Sequence, residues 1–145
     1  MATIEAICTS KKKGMVKKPV AQACFQDGFG IEGDAHGGKW HRQVSLLAGE
    51  SIDTVKEKLP SLKDGAFAEN IITRGLSLST VSIGDTLRIG TGIILEITQI
   101  GKKCHNDGCV IKKATGDCIM PKEGIFAKVI AGGEAKSGDQ ISLIP

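Results

Sequence analysis

Three of the chain's five cysteines fall in one short stretch, "GKKCHNDGCVIKKATGDC", as Cys104, Cys109 and Cys118, with His105 beside the first. Lys102 and Lys103 precede Cys104, and neighbouring cations favour the thiolate over the thiol. The spacing puts this thiol just past an apolar strand and before a short helix predicted over Asn106–Ala114. That is the setting of a nucleophile or of a ligand for a soft metal. Such a group could carry sulfur as a persulfide, or bind molybdenum or tungsten. The C-x4-C and C-x8-C intervals depart from zinc-knuckle pairs and from iron–sulfur signatures. Cys109 or Cys118 could instead resolve an oxidised Cys104 as a disulfide. Cys8 and Cys24 sit in apolar strand candidates and read as packing residues.

A second group with chemical potential lies in "DGFGIEGDAHGGKWHRQ", from Asp27 to Gln43. Gly28, Gly30 and Gly33 spell G-x-G-x-x-G. A dinucleotide turn needs a buried strand before these glycines and a helix opening at the last. Here the preceding "AQACFQD" is too polar, and Gly37 with Gly38 makes a helix interior unfavourable. The glycines are better suited to sharp turns and close approach to a ligand. The same loop displays Asp34, His36, Lys39, His41 and Arg42. Backbone N–H groups, an imidazole and cations converging there would suit a phosphate or an oxyanion. His36 and His105 are the candidates for proton transfer, because imidazole titrates near neutral pH.

These groups need a scaffold, and the pattern predicts short strands. Thr3–Cys8, Val20–Phe25 and "QVSLLA" (Gln43–Ala48) read as strands. A helix is expected over Gly49–Leu59, where Ile52, Val55 and Leu59 make one apolar stripe and Pro60 ends it. "NIITRG" follows as a strand. "GDTLRIG" and "GIILEITQIG", separated by a glycine turn, read as a hairpin. "GIFAKVIAGG" and "DQISLI" are expected to close the chain as a second hairpin around Glu134–Gly138. The expected class is mostly β: a barrel-like, mixed-topology fold of short strands with one or two short helices, in a single domain over residues 1–145.

Composition limits the function. Hydrophobic residues at 41% and charged residues at 24% are ordinary for a soluble globular chain. The net charge of +3, with no Tyr and one Trp, argues against nucleic acid as a partner. One basic cluster, Lys11, Lys12, Lys13, Lys17 and Lys18, reads as a solvated loop, with an anion-attracting rim as the functional alternative. No stretch is apolar enough to span a membrane, and the N-terminal charges follow the apolar part, the reverse of a signal peptide. A cytoplasmic protein with free thiols is the expectation.

The order of the motifs resembles the MOSC family, the domain named for the C-terminal part of molybdenum-cofactor sulfurases. "GIEGDAHGG" with "HRQVSLL" is similar to that family's early G-x-x-G-D-x-H segment. "GAFAENIITRGLSLSTVSIGDTLRIG" is similar to its G-x-F-x-E-N block and G-D hairpin, and "LEITQIGKKC" to the strand that delivers its key cysteine. The resemblance implies a barrel-like β fold in which Cys104 carries sulfur or ligates the molybdenum of a pterin cofactor. It implies that Gly33, Asp34 and His36 face the cofactor pocket and that Asn70 contributes from the E-N motif. Lys39, Arg42 and Arg74 are added as phosphate or pterin contacts from charge and position. The family often has proline before the cysteine, where this chain has Lys103, and G-E-F-G-E-N where it has Gly65–Asn70. Family fusions carry a pyridoxal-phosphate desulfurase domain for which this chain has no room, so a partner would supply sulfur or a molybdoenzyme would receive it. A non-catalytic carrier of molybdate or cofactor, and a molybdenum-dependent reductase of N-hydroxylated compounds with an external electron donor, are the alternatives.

Overall fold

A computed structural model of the chain describes residues 2–13, 16–101 and 123–144. Its strands are β1 (Thr3–Thr9), β2 (Lys18–Val20), β3 (Gln22–Gln26), β4 (Gly30–Ile31), β5 (Val44–Ala48), β6 (Ile71–Arg74), β7 (Thr86–Ile89), β8 (Ile93–Ile100), β9 (Ile125–Ala131), β10 (Gly133–Lys136) and β11 (Ile141–Ile144). One helix, α1 (Gly49–Lys58), joins β5 to β6. Eight strands form one sheet in the order β11-β7-β8-β9-β5-β6-β1-β2, and β10-β3-β4 form a second. The fold is thus mostly β with mixed topology. Backbone bonds from Ile4 N to Asp139 O (2.8 Å) and from Ile141 N to Ala2 O (3.1 Å) draw the start of β11 to β1. The large sheet curls on itself without closing into a true barrel.

The leucine-rich run of β5 has a physical reason. β5 and β6 are the parallel pair, joined by α1. Strands joined this way are covered on both faces and need apolar residues throughout. Leu46 and Ile71 enter the core enclosed by the curled sheet, with Ile4, Ile7, Leu95 and Ile97. Leu47 and Ile72 enter a second core under α1, with Ile52, Val55, Cys8 and Phe126. A bulge between Ile4 and Ala6 in β1 shifts the alternation, so Ile4 and Ile7 face one core while Ala6 and Cys8 face the other. α1 ends where Leu59 N bonds to Val55 O at 3.0 Å, just before Pro60.

The closing hairpin expected around Glu134–Gly138 does not form. β9 has β8 on one edge and β5 on the other, so neither edge is free for β11. The chain leaves β9 at Gly132, where a Cβ would sit 2.1 Å from Phe25 O, and only glycine fits. It then pairs with β3 as β10, and β11 returns to the edge of β7. The strand expected over Val20–Phe25 is two strands, β2 and β3, in different sheets. Cys8 is fully buried as expected, but Cys24 is only half-buried. The helix expected over Asn106–Ala114 lies outside the described residues.

Candidate functional site

The glycine loop leaves β4 in turns, and no helix opens at Gly33. Gly33 has φ +82°, in the left-handed region where a side chain is disfavoured. Gly37 packs on Phe29 so closely that a Cβ would lie 2.4 Å from its ring. Gln43, 3% exposed, ties this loop to the sheet. Its amide donates to the carbonyls of Gly28 and Gly38, both at 2.9 Å, and its Oε1 accepts from Val129 N at 2.9 Å.

Asp34 is buried, and its partner is Lys17, at 1% exposure a buried lysine. Lys17 Nζ lies 2.7 Å from Asp34 Oδ1, 2.8 Å from His36 Nδ1 and 3.2 Å from Ser10 Oγ. Asp34 Oδ1 also accepts from Ser10 N at 3.0 Å, and Oδ2 accepts from His36 N at 3.2 Å. The reading of Lys17 as part of a solvated loop is therefore corrected. Its ammonium is the centre of a polar cluster, and burial is tolerable because a carboxylate faces it directly.

The second family-like motif holds that lysine in place. Glu69 is fully buried, and its carboxylate accepts from Gly65 N (3.0 Å) and Phe67 N (2.9 Å). The turn so formed presents Gly65 O to Lys17 N at 2.9 Å. A Cβ on Gly65 would lie 1.9 Å from Lys17 O. Burial pushes the Glu69 carboxyl above its usual range, against the pull of the two backbone N–H groups. A raised folded-state value favours folding most below the unfolded carboxylate range, and that contribution is lost as pH rises through the folded value. Urea midpoints of wild type and Glu69→Gln are expected to show this. The advantage of wild type over the variant should shrink as pH rises from about 4 towards 7. An advantage that grows with pH would mean that the backbone bonds outweigh burial.

Around the cluster stands an aromatic and cationic shelf. Trp40 Nε1 donates to His36 O at 2.7 Å, and the two rings lie nearly parallel at 8°, with centroids 6.1 Å apart. Lys13 Nζ is 4.2 Å from the Trp40 ring centre. The Arg42 guanidinium is 4.8 Å from Trp40 and 5.9 Å from Phe126. Arg42 Nε is a buried donor without a hydrogen-bond acceptor. His41 Nε2 is 2.8 Å from Gln99 Oε1, while Gln99 Nε2 donates to Gly101 O at 2.7 Å. The loop therefore reaches the point where β8 leads into the stretch bearing Cys104. Gly33 borders a cavity of about 340 Å³ with Thr9, Ser10, Lys11 and Lys18.

Other expected site residues are placed differently. Lys39 is exposed on the loop. Asn70 is fully buried, with Oδ1 accepting from Ser45 N and Nδ2 donating to Cys8 O, both at 3.0 Å. It pins β1 to β5 from within. Arg74 is clasped by Glu5 (2.6 Å) and Asp53 (2.7 Å) against the start of α1. Both carboxylates favour its charged form. The structure thus brings Asp34, His36 and Arg42 together and leaves Asn70 and Arg74 in structural contacts elsewhere. Cys104, His105, Cys109 and Cys118 lie outside the described residues. Sequence reasoning missed Lys17 and Gln43, whose partners include Asp34 and Val129, far away in sequence.

A larger cavity, about 700 Å³, opens at the carboxyl ends of β5 and β6. Glu50, Ser51, Ser77, Leu78 and Glu123 line it, with no Lys, Arg or His among its described lining. No group of three or more metal-binding side chains exists among the described residues. No helix among them is long and apolar enough to cross a membrane.

A mostly β domain with a cationic, donor-rich loop seated over mixed sheet edges is the class this geometry defines. The model of the MOSC domain matches residues 32–142, and the chain belongs to that family. MOSC domains are associated with molybdenum-cofactor-related function. A protein named reductase from Gibberella moniliformis (strain M3125 / FGSC 7600) is 27% identical over 131 residues, covering 83% of this chain. The matched region is only 23% of that relative's length. The fold is shared with the YuaD protein from Bacillus subtilis (TM-score 0.79, 21% identity, 97% of this chain and 94% of that one). It is shared also with YiiM from Geobacillus stearothermophilus (TM-score 0.72, 20% identity, 100% and 76%).

Proposed function

We propose that this domain binds the molybdenum cofactor, or a molybdenum oxyanion, on the glycine loop, and that Cys104 carries sulfur as a persulfide or ligates the metal. The observation that supports this most is the donor set. Lys13 and Arg42 gather on the Trp40 ring that stacks on His36, and Arg42 Nε is buried with no acceptor. Such a set fits an anionic group, a pterin phosphate or an oxyanion, and suits a bare cation poorly. The acid-bordered cavity at Glu50 and Glu123 suits an anion poorly, which favours the loop.

Arg42 and Lys39 would neutralise the ligand's negative charge, Gly33 would let the backbone approach it, and Asp34 would hold Lys17 and His36 in place. Bound molybdenum would supply a soft acceptor for sulfur and two-electron chemistry. As carrier, the Cys104 thiolate takes a sulfane sulfur from a partner desulfurase's persulfide and is restored to thiolate when it passes that sulfur on. The name of the Gibberella moniliformis relative favours a second reading, a reductase domain fed by an external electron donor.

Metal and pterin analysis of protein purified from a molybdate-fed host tests the first reading. Stoichiometric molybdenum with pterin is expected, together with a change in Trp40 fluorescence when inorganic molybdate is titrated into the apoprotein. Trp40 is the chain's one tryptophan, so the signal reports on this loop. Protein free of molybdenum and pterin, and silent to molybdate, would refute it.

A further inference from the structure

We propose that the cavity bounded by Lys11, Val16, Lys18 and Gly33 docks an acidic segment of a partner protein, with an apolar side chain against Val16 and carboxylates on Lys11 and Lys18. Such docking needs neither molybdenum nor Cys104, and it stands apart from the reading above.

Lys17 turns inward to Asp34, while its neighbours Val16 and Lys18 are exposed. Val16 is 58% exposed, a large apolar side chain facing solvent. It and Lys18 line the cavity of about 340 Å³ with Thr9, Ser10, Lys11 and Gly33. A Cβ placed on Gly33 would meet nothing within 4 Å, so that side is open. The walls are fixed beforehand. Ser10 N donates to Asp34 Oδ1 at 3.0 Å, Ala35 N donates to Ser10 O at 2.7 Å, and Lys17 N donates to Gly65 O at 2.9 Å. Walls that need no ordering on binding leave more of the contact energy as affinity.

Charge selects the occupant. Lys11 and Lys18 are exposed, as are Lys12, Lys13 and Lys39. Among the described residues none of these five pairs with a carboxylate, whereas Lys56, Arg74 and Lys128 each do. The carboxylates of the glycine loop do not cancel them. Asp34 is neutralised by Lys17, and Glu32 takes Gln26 Nε2 at 3.1 Å and the Cys24 thiol. The uncancelled charge is therefore positive, and it borders one exposed apolar side chain. An apolar residue flanked by carboxylates complements both features. A free oxyanion would engage the cations and leave Val16 uncovered. A nucleic acid would need open ring faces for its bases. Trp40, the chain's one tryptophan, already carries Lys13 and Arg42 against its ring. A cavity of this volume admits side chains and not a folded surface, so a loop or a chain terminus is what enters.

Amide shifts of the 15N-labelled full chain, titrated with the pentapeptide Glu-Glu-Leu-Glu-Glu capped at both ends, test this. Shifts are expected at Ser10, Lys11, Val16, Lys18 and Gly33, with binding about tenfold weaker in 0.5 M salt than in 0.05 M. Lys11→Gln/Lys18→Gln should also weaken binding about tenfold, the loss of two surface charge pairs. Val16→Ser should weaken it about threefold through lost apolar contact. All three side chains are exposed, so urea midpoints should stay where they are. Absence of peptide shifts would overturn the proposal, as would equal binding of Gln-Gln-Leu-Gln-Gln. Inorganic phosphate moving the same amides as strongly would make this a free-anion site, and tighter binding of a short oligouridylate would make it a nucleic-acid site. Either result overturns the proposal. Protein that takes up molybdenum but no peptide keeps the reading above and loses this one, and the reverse result does the opposite.

Discussion

Lys17→Met is expected to cost about 3–5 kcal/mol of folding free energy, because it strands an ionised carboxylate inside the protein. Lys17 and Asp34 side chains have no exposed surface, and among the described residues Asp34 meets no other cation at the 2.7 Å of this pair. Domains of this kind are stable by about 5–15 kcal/mol in all, so the loss is a large share. Asp34 also organises Ser10 N and His36 N, so its backbone partners should loosen with it. Urea unfolding followed by Trp40 fluorescence measures the loss. Adding Asp34→Asn should restore much of the stability, since a neutral amide tolerates the missing ammonium far better than a carboxylate. A single-variant loss below about 1 kcal/mol, the range of exposed pairs, would mean that the pair is hydrated and its burial is not as described.

Cys104→Ser is expected to abolish sulfur loading while leaving the urea midpoint unchanged. A serine hydroxyl cannot hold sulfane sulfur. Wild type treated with a cysteine desulfurase and cysteine should gain one sulfur atom by intact mass, and the variant none. Cys8 cannot substitute, because burial pushes its thiol up to about 12 and keeps it protonated at working pH. Retained loading in the variant would move the role to Cys24, Cys109 or Cys118 and remove Cys104 from the proposal.

Much of the scaffold is legible in local pattern. The α1 stripe of Ile52 and Val55 with Pro60 behind it, and the β7–β8 hairpin across Gly90–Gly92, announce themselves within a few residues. The burial of four successive residues of β5, Val44 to Leu47, reflects cover on two faces, which the sequence conveys only as a short strand. The β9–β11 hairpin expected from the sequence does not form, because pairing depends on which edges other strands already occupy, a non-local fact. In the site, the loop's donors are visible by type. Lys17 is not, since no local signal separates it from Lys11, Lys12 or Lys18. Its identity comes from a carboxylate 17 residues on and a carbonyl at Gly65. Asn70 carries the motif expected of a ligand contact, yet its bonds run to Ser45 and Cys8.

Lys17 is joined to Gly65 through its backbone and to Asp34 through its side chain. Two motifs separated by some thirty residues are thereby riveted into a single cooperative unit. Their amides at Ser10, Lys17, His36 and Phe67 should exchange with deuterated solvent at a common rate, opening together or not at all.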